Sequence, residues 1–326
     1  MKAIVNTGPG RLEMRELPTP RPGPGQVCVK TLACGICATD LAMIAGWQRT
    51  GFPAIPGHEW AGRIEALGKG VAGDLAGRLC VAENVLADGG EVGFEHPGGY
   101  AQYLLTEGRN VCVLPSDVPA ATAALIEPLA VSVRGLRRLR LEDRGAALIF
   151  GDGPIGLLLA MLLARSGIEE VCLVGGRPAR LELARQLGVR RTLNYHDVSS
   201  GLGAAVRAEF GRGFAHVIEA SGSAAAMEAA LDAADRGGKL LVIGDYAEAA
   251  ARFKWNTLLH KELELIGSNA SAGAWPEAVR LVAEERLPLE RLVTHVYPAD
   301  RFAEGVDRVR SDRDAVKVVL TWEAGG

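Results

Sequence analysis

The sequence predicts an α/β protein in two parts, a β-rich module followed by a doubly wound, parallel sheet. Three observations carry that expectation. The chain has 326 residues, more than one ordinary core holds at roughly 150 residues per domain. Up to about residue 125, short runs rich in β-branched residues are separated by Gly and Pro clusters. From about Thr122 onward, strand-like and helix-like runs alternate, the pattern of parallel strands joined by helical crossovers.

In chain order, KAIV, QVCVKTLA, GRIEAL, RLCVAE, YAQYLLT and NVCVLP are the strand candidates of the first module. Their spacing fits a small barrel or sandwich with long functional loops, and LPTPRPGPGQ is a turn-rich connector. ATAALIEPLAVSVRGLRRL reads as helix. ALIFGDGPIGLLLAMLLARSG then reads as buried strand, Gly turn and buried helix. VCLVGG is a second strand, RPARLELARQLG an amphipathic helix, and HVIEASG, KLLVIGD and LELIGS three further strands. The tail adds a helix, WPEAVRLVAEERL, and a strand, KVVLTW. The expected division is residues 1–130 in the first module, 131–267 in the second, and 268–326 returning to the first.

Hydrophobic residues make up 48% and charged residues 23%, values of a folded globular chain. A formal net charge of −3 gives no electrostatic footprint for nucleic acid or an anionic membrane surface. The longest apolar run, residues 156–164, is about half of what a membrane span needs and is expected as a buried helix. With no leader-like apolar region near the N-terminus, the cytoplasm is the expected compartment. There paired disulfides are not expected among the six cysteines. Cys28 and Cys112 sit in apolar strand-like runs and read as small buried hydrophobes; Cys34 and Cys37 stand in a different setting.

Gly151-Asp152-Gly153-Pro154-Ile155-Gly156 is a GxGxxG turn. Alone that pattern is weak, but here a buried strand precedes it and an apolar helix follows. Gly151 permits the tight turn, Gly153 lets a pyrophosphate approach the backbone, and Gly156 allows close helix–strand packing. Pro154 and Ile155 open the helix whose N-terminal N–H groups face an anion. The second strand bears on which dinucleotide binds. It ends Gly175-Gly176-Arg177 with no acid to bond ribose hydroxyls. Arg177, with Arg180, can instead bond a 2′-phosphate, so NADP(H) is expected over NAD(H).

Cys34-Gly35-Ile36-Cys37-Ala38-Thr39-Asp40 and Gly57-His58-Glu59 both lie in the β-rich module. No second CxxC or HxxxH accompanies them, as a closed structural zinc site requires. A redox CxxC belongs at a helix start in a βαβ unit, which this is not. The reading that remains is an open metal site with mixed ligands. Glu127 is an acid in an apolar helix start, and it fits either a metal ligand or a helix N-terminal charge.

CGICATD, GHEWAG, IEPLAV and GDGPIG occur together in this order, and with them the chain resembles the zinc-containing medium-chain dehydrogenase/reductase (alcohol dehydrogenase) superfamily. The likeness runs through nearly the whole length and is nearest to the polyol (sorbitol-type) branch. The VGGRP stretch is similar to the NADP-linked secondary-alcohol branch. The resemblance implies a GroES-like catalytic domain and a Rossmann domain. It implies zinc on Cys37, His58 and Glu127, with Glu59 as a neighbouring or alternating ligand. It assigns Thr39 to passing the alcohol proton and Asp40 to orienting the histidine, and leaves Cys34 as core. It further implies hydride transfer between nicotinamide and a secondary alcohol or ketone in a water-excluding cleft, and a homodimer or homotetramer.

Three departures from the family pattern matter. Residues 82–100 are short and contain no cysteine, so one catalytic zinc and no structural zinc is expected. The position five after the zinc cysteine, often a relay histidine, is Ala42. His96 in the shortened loop reads as a surface histidine. Trp47, Gln48, Phe52, Ser268 and Asn269 are candidates to border the substrate; Gln48, Asn269 and Glu95 suit a polyhydroxylated or aminated substrate and Trp47 and Phe52 an apolar one, and a polyol, sugar or cyclitol-like secondary alcohol is expected over a simple alkyl one. The competing functions are a zinc-free quinone or enone reductase on the same fold and a non-enzymatic NADP-binding sensor.

Overall fold

The computed structural model describes residues 1–47, 49–141, 144–199 and 201–322. Gln48, one of the substrate candidates, lies outside them. The chain divides into two compact units, residues 1–130 with 272–326, and residues 131–271.

The first unit is built on a seven-stranded sheet. Its order is Val293–Pro298, Lys317–Thr321, Gln26–Ile36, Trp60–Leu67, Leu79–Ala82 and Val111–Leu114, with Tyr103–Glu107 also paired to Gln26–Ile36. The central strand is buried along almost all of its length, because partners lie on both edges and the apolar cluster of Val27, Val29, Cys34, Trp60, Ile64 and Leu104 packs on it. Cys34 is fully buried. Its Sγ lies 2.8 Å from where a side chain on Gly57 or Gly99 would begin, so it fills core volume. The six cysteines are all free, Cys112 and Cys37 being only partly buried.

The sheet's register places the site. The tail strand runs antiparallel to the central one, with Val318 opposite Ile36 and Val319 opposite Gly35. This sets Lys317 next to the end of the strand from which Cys37 follows. On the other edge Cys34 pairs with Trp60, and Gly35 N–H donates to the Glu59 carbonyl at 2.7 Å. The tail therefore brings a cation, and the Gly57–Trp60 segment an imidazole and a carboxylate, to one end of one strand.

The second unit is a six-stranded sheet with helices. Its order is Arg191–Asn194, Val171–Gly175, Ala147–Phe150, Phe214–Glu219, Ala234–Val242, Glu264–Gly267, and its pairs are parallel. Counted within the unit this is 3-2-1-4-5-6, the dinucleotide-binding order, with its switch point between the first and fourth strands. The apolar run expected as a buried helix is one, within Pro154–Leu163. No helix among the described residues is long and apolar enough to cross a membrane.

Candidate metal centre and cofactor cavity

Cys37 stands at the start of the Ala38–Ala45 helix with extended backbone. The helix is begun by Asp40, three residues on, whose Oδ2 accepts from Cys37 N–H at 2.8 Å. Such a reciprocal cap satisfies a donor that the first turn leaves free. Asp40 is fully buried. Its other oxygen accepts from Gly57 N–H at 3.3 Å and faces His58 Nδ1 at 3.3 Å. One carboxylate thus locks the Cys37 turn to the His58 turn, which lie far apart in sequence. With Nδ1 turned to Asp40, Nε2 is the ring nitrogen left to face a metal. Gly57 takes φ +100, and a side chain there would strike Tyr100 and Cys34, so a glycine must precede this histidine. Asn84 Nδ2 donates to the His58 carbonyl at 2.9 Å and is itself fixed by Trp60 Nε1 at 3.1 Å.

Ligand atoms of Cys37, His58 and Glu59 all lie within 4.8 Å of one another. Thiolate, imidazole and carboxylate are the donor set of an open zinc site. Burial works against charge on His58, but the Asp40 carboxylate, then Cys37, outweigh it and hold the imidazolium well above the usual histidine range. A cation entering must displace that proton, as metal binding to imidazole generally does.

Glu127 is only partly exposed at the head of the Ile126–Leu139 helix and is not in the tight three-residue set. It lies in the same electrostatic field. Burial pushes its carboxyl up to about 7, with His58 and Lys317 opposing the rise and Glu59 and Asp40 adding to it.

Lys317 joins this cluster from the tail strand. Its Nζ donates to both oxygens of Glu59 at 2.6 and 2.7 Å, with side chains 3% and 1% exposed. Burial disfavours the ammonium, but Glu59 and then Cys37 hold its proton above the ordinary lysine range. The Glu59 carboxylate occupies the space over Gly35, where a side chain would begin 2.2 Å from Oε2. Lys317 is separated from Glu59 by 258 positions, and nothing in its local sequence marks it.

Thr39 is half-buried in the first turn of the same helix, its Oγ1 3.7 Å from Cys37 Sγ. Ala42, at the relay position, is exposed. The Phe94 ring, from a loop with no periodic pattern, stacks on His58 at 4.9 Å, and the Arg49 guanidinium covers Phe94 at 4.3 Å. Arg49 in turn donates to Glu95 at 2.8 and 3.1 Å and to Glu91 at 2.6 Å, so the Glu95 carboxylate is engaged by Arg49 at the surface. Trp47 and Phe52 are 42% and 40% exposed, and Phe52 borders a cavity of about 490 Å³ with Arg49, Thr50 and Phe94. His96 pairs with Asp88 at 2.9 Å near the surface.

In the second unit, a cavity of about 580 Å³ opens at the strand-order switch. It is lined by Gly151, Asp152, Gly153, Gly175, Arg177, Tyr195 and Ser221 among others. Gly151 has φ +119, and a side chain on Gly156 would begin 2.0 Å from the Gly151 carbonyl oxygen; the turn and its helix close tightly around these two positions. Gly153 caps the helix, with Pro154 in its first turn, and a side chain there would meet nothing within 4 Å. Helix N–H groups therefore face open space. Arg180 is buried and is not among the lining residues. The Tyr195 ring covers Gly176, leaving no room for a side chain. Ser268 and Asn269 follow the last strand, Asn269 exposed.

Residues 154–284 match the family described as zinc-binding dehydrogenase, and residues 23–116 match the alcohol dehydrogenase GroES-like domain. An L-threonine 3-dehydrogenase of Chelativorans sp. (strain BNC1) is 31% identical, with 99% of each chain covered. A sorbitol dehydrogenase of Halalkalibacterium halodurans is 28% identical over 98% of this chain and 99% of its own. Among solved structures, galactitol-1-phosphate dehydrogenase from Escherichia coli is 27% identical with a TM-score of 0.88, covering 98% of this chain and 100% of that one. Likeness over the full length, together with a sulfur–imidazole–carboxylate cluster in a GroES-like unit and a GxGxxG turn in a Rossmann unit, decides the family: the chain belongs to the zinc-dependent medium-chain dehydrogenase/reductase (alcohol dehydrogenase) superfamily and is an NAD(P)-linked alcohol or polyol dehydrogenase.

Proposed function

We propose that this enzyme interconverts a polyol, sugar or cyclitol-like secondary alcohol and its ketone, using NADP(H) in preference to NAD(H) and a single catalytic zinc. The observation that carries the metal chemistry is the meeting of Cys37, His58 and Glu59 within 4.8 Å, clamped by Asp40. Cys37 Sγ and His58 Nε2 would hold the ion, with Glu127 the carboxylate that completes the set. Glu59 is neutralised by Lys317 and stands in reserve. Zinc held there supplies a Lewis acid to the substrate oxygen. The residues do the rest. Thr39 takes the hydroxyl proton through its Oγ1, and with Ala42 at the relay position the proton leaves to solvent. Phe94 and Arg49 shield the imidazole from water. The Gly151–Gly156 turn and helix orient the cofactor, whose nicotinamide accepts the hydride.

Three considerations support this reading. The relatives' names specify threonine, sorbitol and galactitol 1-phosphate, all with polar groups beside a carbinol. Trp47 and Phe52 offer exposed apolar surface in the first unit, and Asn269 an exposed amide in the second. The NADP preference rests on the missing acid at Gly175 and on Arg177 in the cavity wall. A homo-oligomer in the cytoplasm is part of the reading, and the edge strand Glu264–Gly267, with Trp255, Leu259 and Leu265 exposed, is the surface it would use.

The test is reduction or oxidation of cofactor followed at 340 nm with polyols, cyclitols, amino-alcohols and simple secondary alcohols, alongside zinc analysis. Turnover of a polyhydroxylated substrate with NADP and about one zinc per chain is expected. Turnover confined to NAD would discard the Arg177 assignment and keep the enzyme.

A further inference from the structure

We infer that Asp152 sets how steeply the cofactor cavity selects for a 2′-phosphate, by holding Arg177 in an ion pair. The inference rests on the reading of Arg177 as the group that meets that phosphate.

A strand in the position of Val171–Gly175 commonly ends in an acid that bonds the ribose hydroxyls. Gly175 has no side chain, yet a carboxylate fills the place. A side chain on Gly175 would begin 2.7 Å from Asp152 Cβ and 2.8 Å from its Oδ2. Asp152 reaches there from the neighbouring strand's turn, for Phe150 pairs with Val174 and Gly151 N–H donates to the Val174 carbonyl at 2.8 Å. It is 4% exposed. Its Oδ2 accepts from Gly176 N–H and Arg177 N–H, both at 2.9 Å. Its Oδ1 accepts from Arg177 Nη1 at 3.0 Å.

The carboxylate therefore acts in two opposed ways. It fixes the turn that carries Arg177, and it neutralises the guanidinium that a phosphate would use. Arg177 keeps donors to spare, since its Nε meets no acceptor among the described residues. A 2′-phosphate arriving beside Arg177 gains a charge-assisted bond and meets a negative charge one guanidinium away. Selection for the phosphate is present but held shallow.

Asparagine separates the two actions. In Asp152→Asn the amide oxygen still accepts from the two backbone N–H groups. The amide NH₂ then faces Arg177 Nη1, donor against donor, and releases the guanidinium to the cavity.

The experiment uses the full-length protein with 2′,5′-ADP and 5′-AMP as probes, which differ in the phosphate and lack nicotinamide. Their affinities are measured by calorimetry for the wild type, Asp152→Asn, Arg177→Gln and the double variant. Asp152→Asn should improve the 2′,5′-ADP to 5′-AMP ratio on the order of tenfold, the scale of one hydrogen bond to a charged group. Arg177→Gln should lower the ratio by a similar factor. Added to Arg177→Gln, the Asp152→Asn change should gain less than it does in the wild type, because only the direct repulsion of the phosphate remains to be relieved; an equal gain in both backgrounds overturns the ion-pair role. An unchanged ratio in Asp152→Asn, with the Arg177→Gln loss intact, overturns the role of Asp152 and leaves Arg177 as the reader. An unchanged ratio in Arg177→Gln overturns the reading of Arg177 and the inference with it. Equal loss of both probes in Asp152→Asn assigns the carboxylate to the turn alone, against the inference. Should Asp152→Asn not fold, Asp152→Ser, with one acceptor oxygen, carries the same expectations.

Discussion

Lys317 Nζ lies 2.6 and 2.7 Å from the two oxygens of Glu59, both side chains buried. A carboxylate within 4.8 Å of the Cys37 and His58 ligand atoms is thereby held against a fixed positive charge. The pair has a structural and an electrostatic consequence. It staples the tail strand to the Gly57–Trp60 segment, and it lowers the net negative charge that Glu59 would otherwise add beside Cys37 and His58.

Removing one partner of a buried pair leaves the other uncompensated and costs about 3–5 kcal/mol. Lys317→Met should therefore lose stability on that scale in urea unfolding. Lys317→Met with Glu59→Leu should recover most of it, because two apolar groups replace two charges. A single variant as stable as the wild type would show that water reaches Glu59 and that the pair is not the staple described.

Asp40 should matter to the metal without touching it. It accepts from Cys37 N–H and Gly57 N–H and faces His58 Nδ1, so it sets the Cys37 turn and the His58 ring together. Loss of such an orienting carboxylate typically lowers metal affinity about 10–100-fold. Asp40→Asn is expected in that range by competition with a chromophoric zinc chelator. His58→Ala and Cys37→Ala should lose zinc and activity altogether. Full zinc occupancy in His58→Ala would remove the imidazole from the site.

Substitution at Thr39 tests whether proton transfer can be separated from metal binding. The Thr39 Oγ1 stands 3.7 Å from Cys37 Sγ on a helix whose start Asp40 fixes. Thr39→Ala should keep its zinc and lose about 10² in kcat, the usual contribution of a positioned acid–base group. Thr39→Ser should recover most of the rate. Unchanged kcat in Thr39→Ala would place the proton path elsewhere.

What could be read from the sequence was what lies close together along it. The Gly151–Gly156 turn between a buried strand and an apolar helix is contiguous, and so are Cys37–Asp40 and Gly57–Glu59. The alternation of strand and helix likewise foretells the parallel sheet. Partners brought in by register were invisible. Lys317 reaches Glu59 only because the tail strand pairs with Gly35 and Ile36. Asp152 stood in plain view inside the GxGxxG turn, but its action on Arg177 depends on the adjacency of two parallel strands. Phe94 and Arg49 come from loops without periodicity, and only their geometry gives them a role, the Phe94 ring 4.9 Å from His58 and the Arg49 guanidinium 4.3 Å from Phe94. An acid in the Gly-rich turn, with the next strand running into Gly-Gly-Arg, was the signal available for the Asp152–Arg177 pair alone.

Glu127 should make the stability of the metal-free protein depend on pH. Burial raises its carboxyl from 4.5 to about 7, so the folded chain holds this proton more tightly than the unfolded chain does. Between those values the native state binds more protons, and stability must fall as pH rises. The contribution is intact below about 4.5, is lost progressively through about 7, and then levels off. At about 1.4 kcal/mol per pH unit the loss from Glu127 amounts to about 3 kcal/mol. Glu127→Gln has no proton to lose there. In chelator-treated protein its stability should equal that of the wild type near pH 4.5 and exceed it by up to about 3 kcal/mol above pH 7, read from urea unfolding at each pH. Zinc should reverse the order at neutral pH, because the ion favours the carboxylate that burial disfavours. A stability difference independent of pH would mean that Glu127 is ionised throughout, and that His58 and Lys317 outweigh its burial.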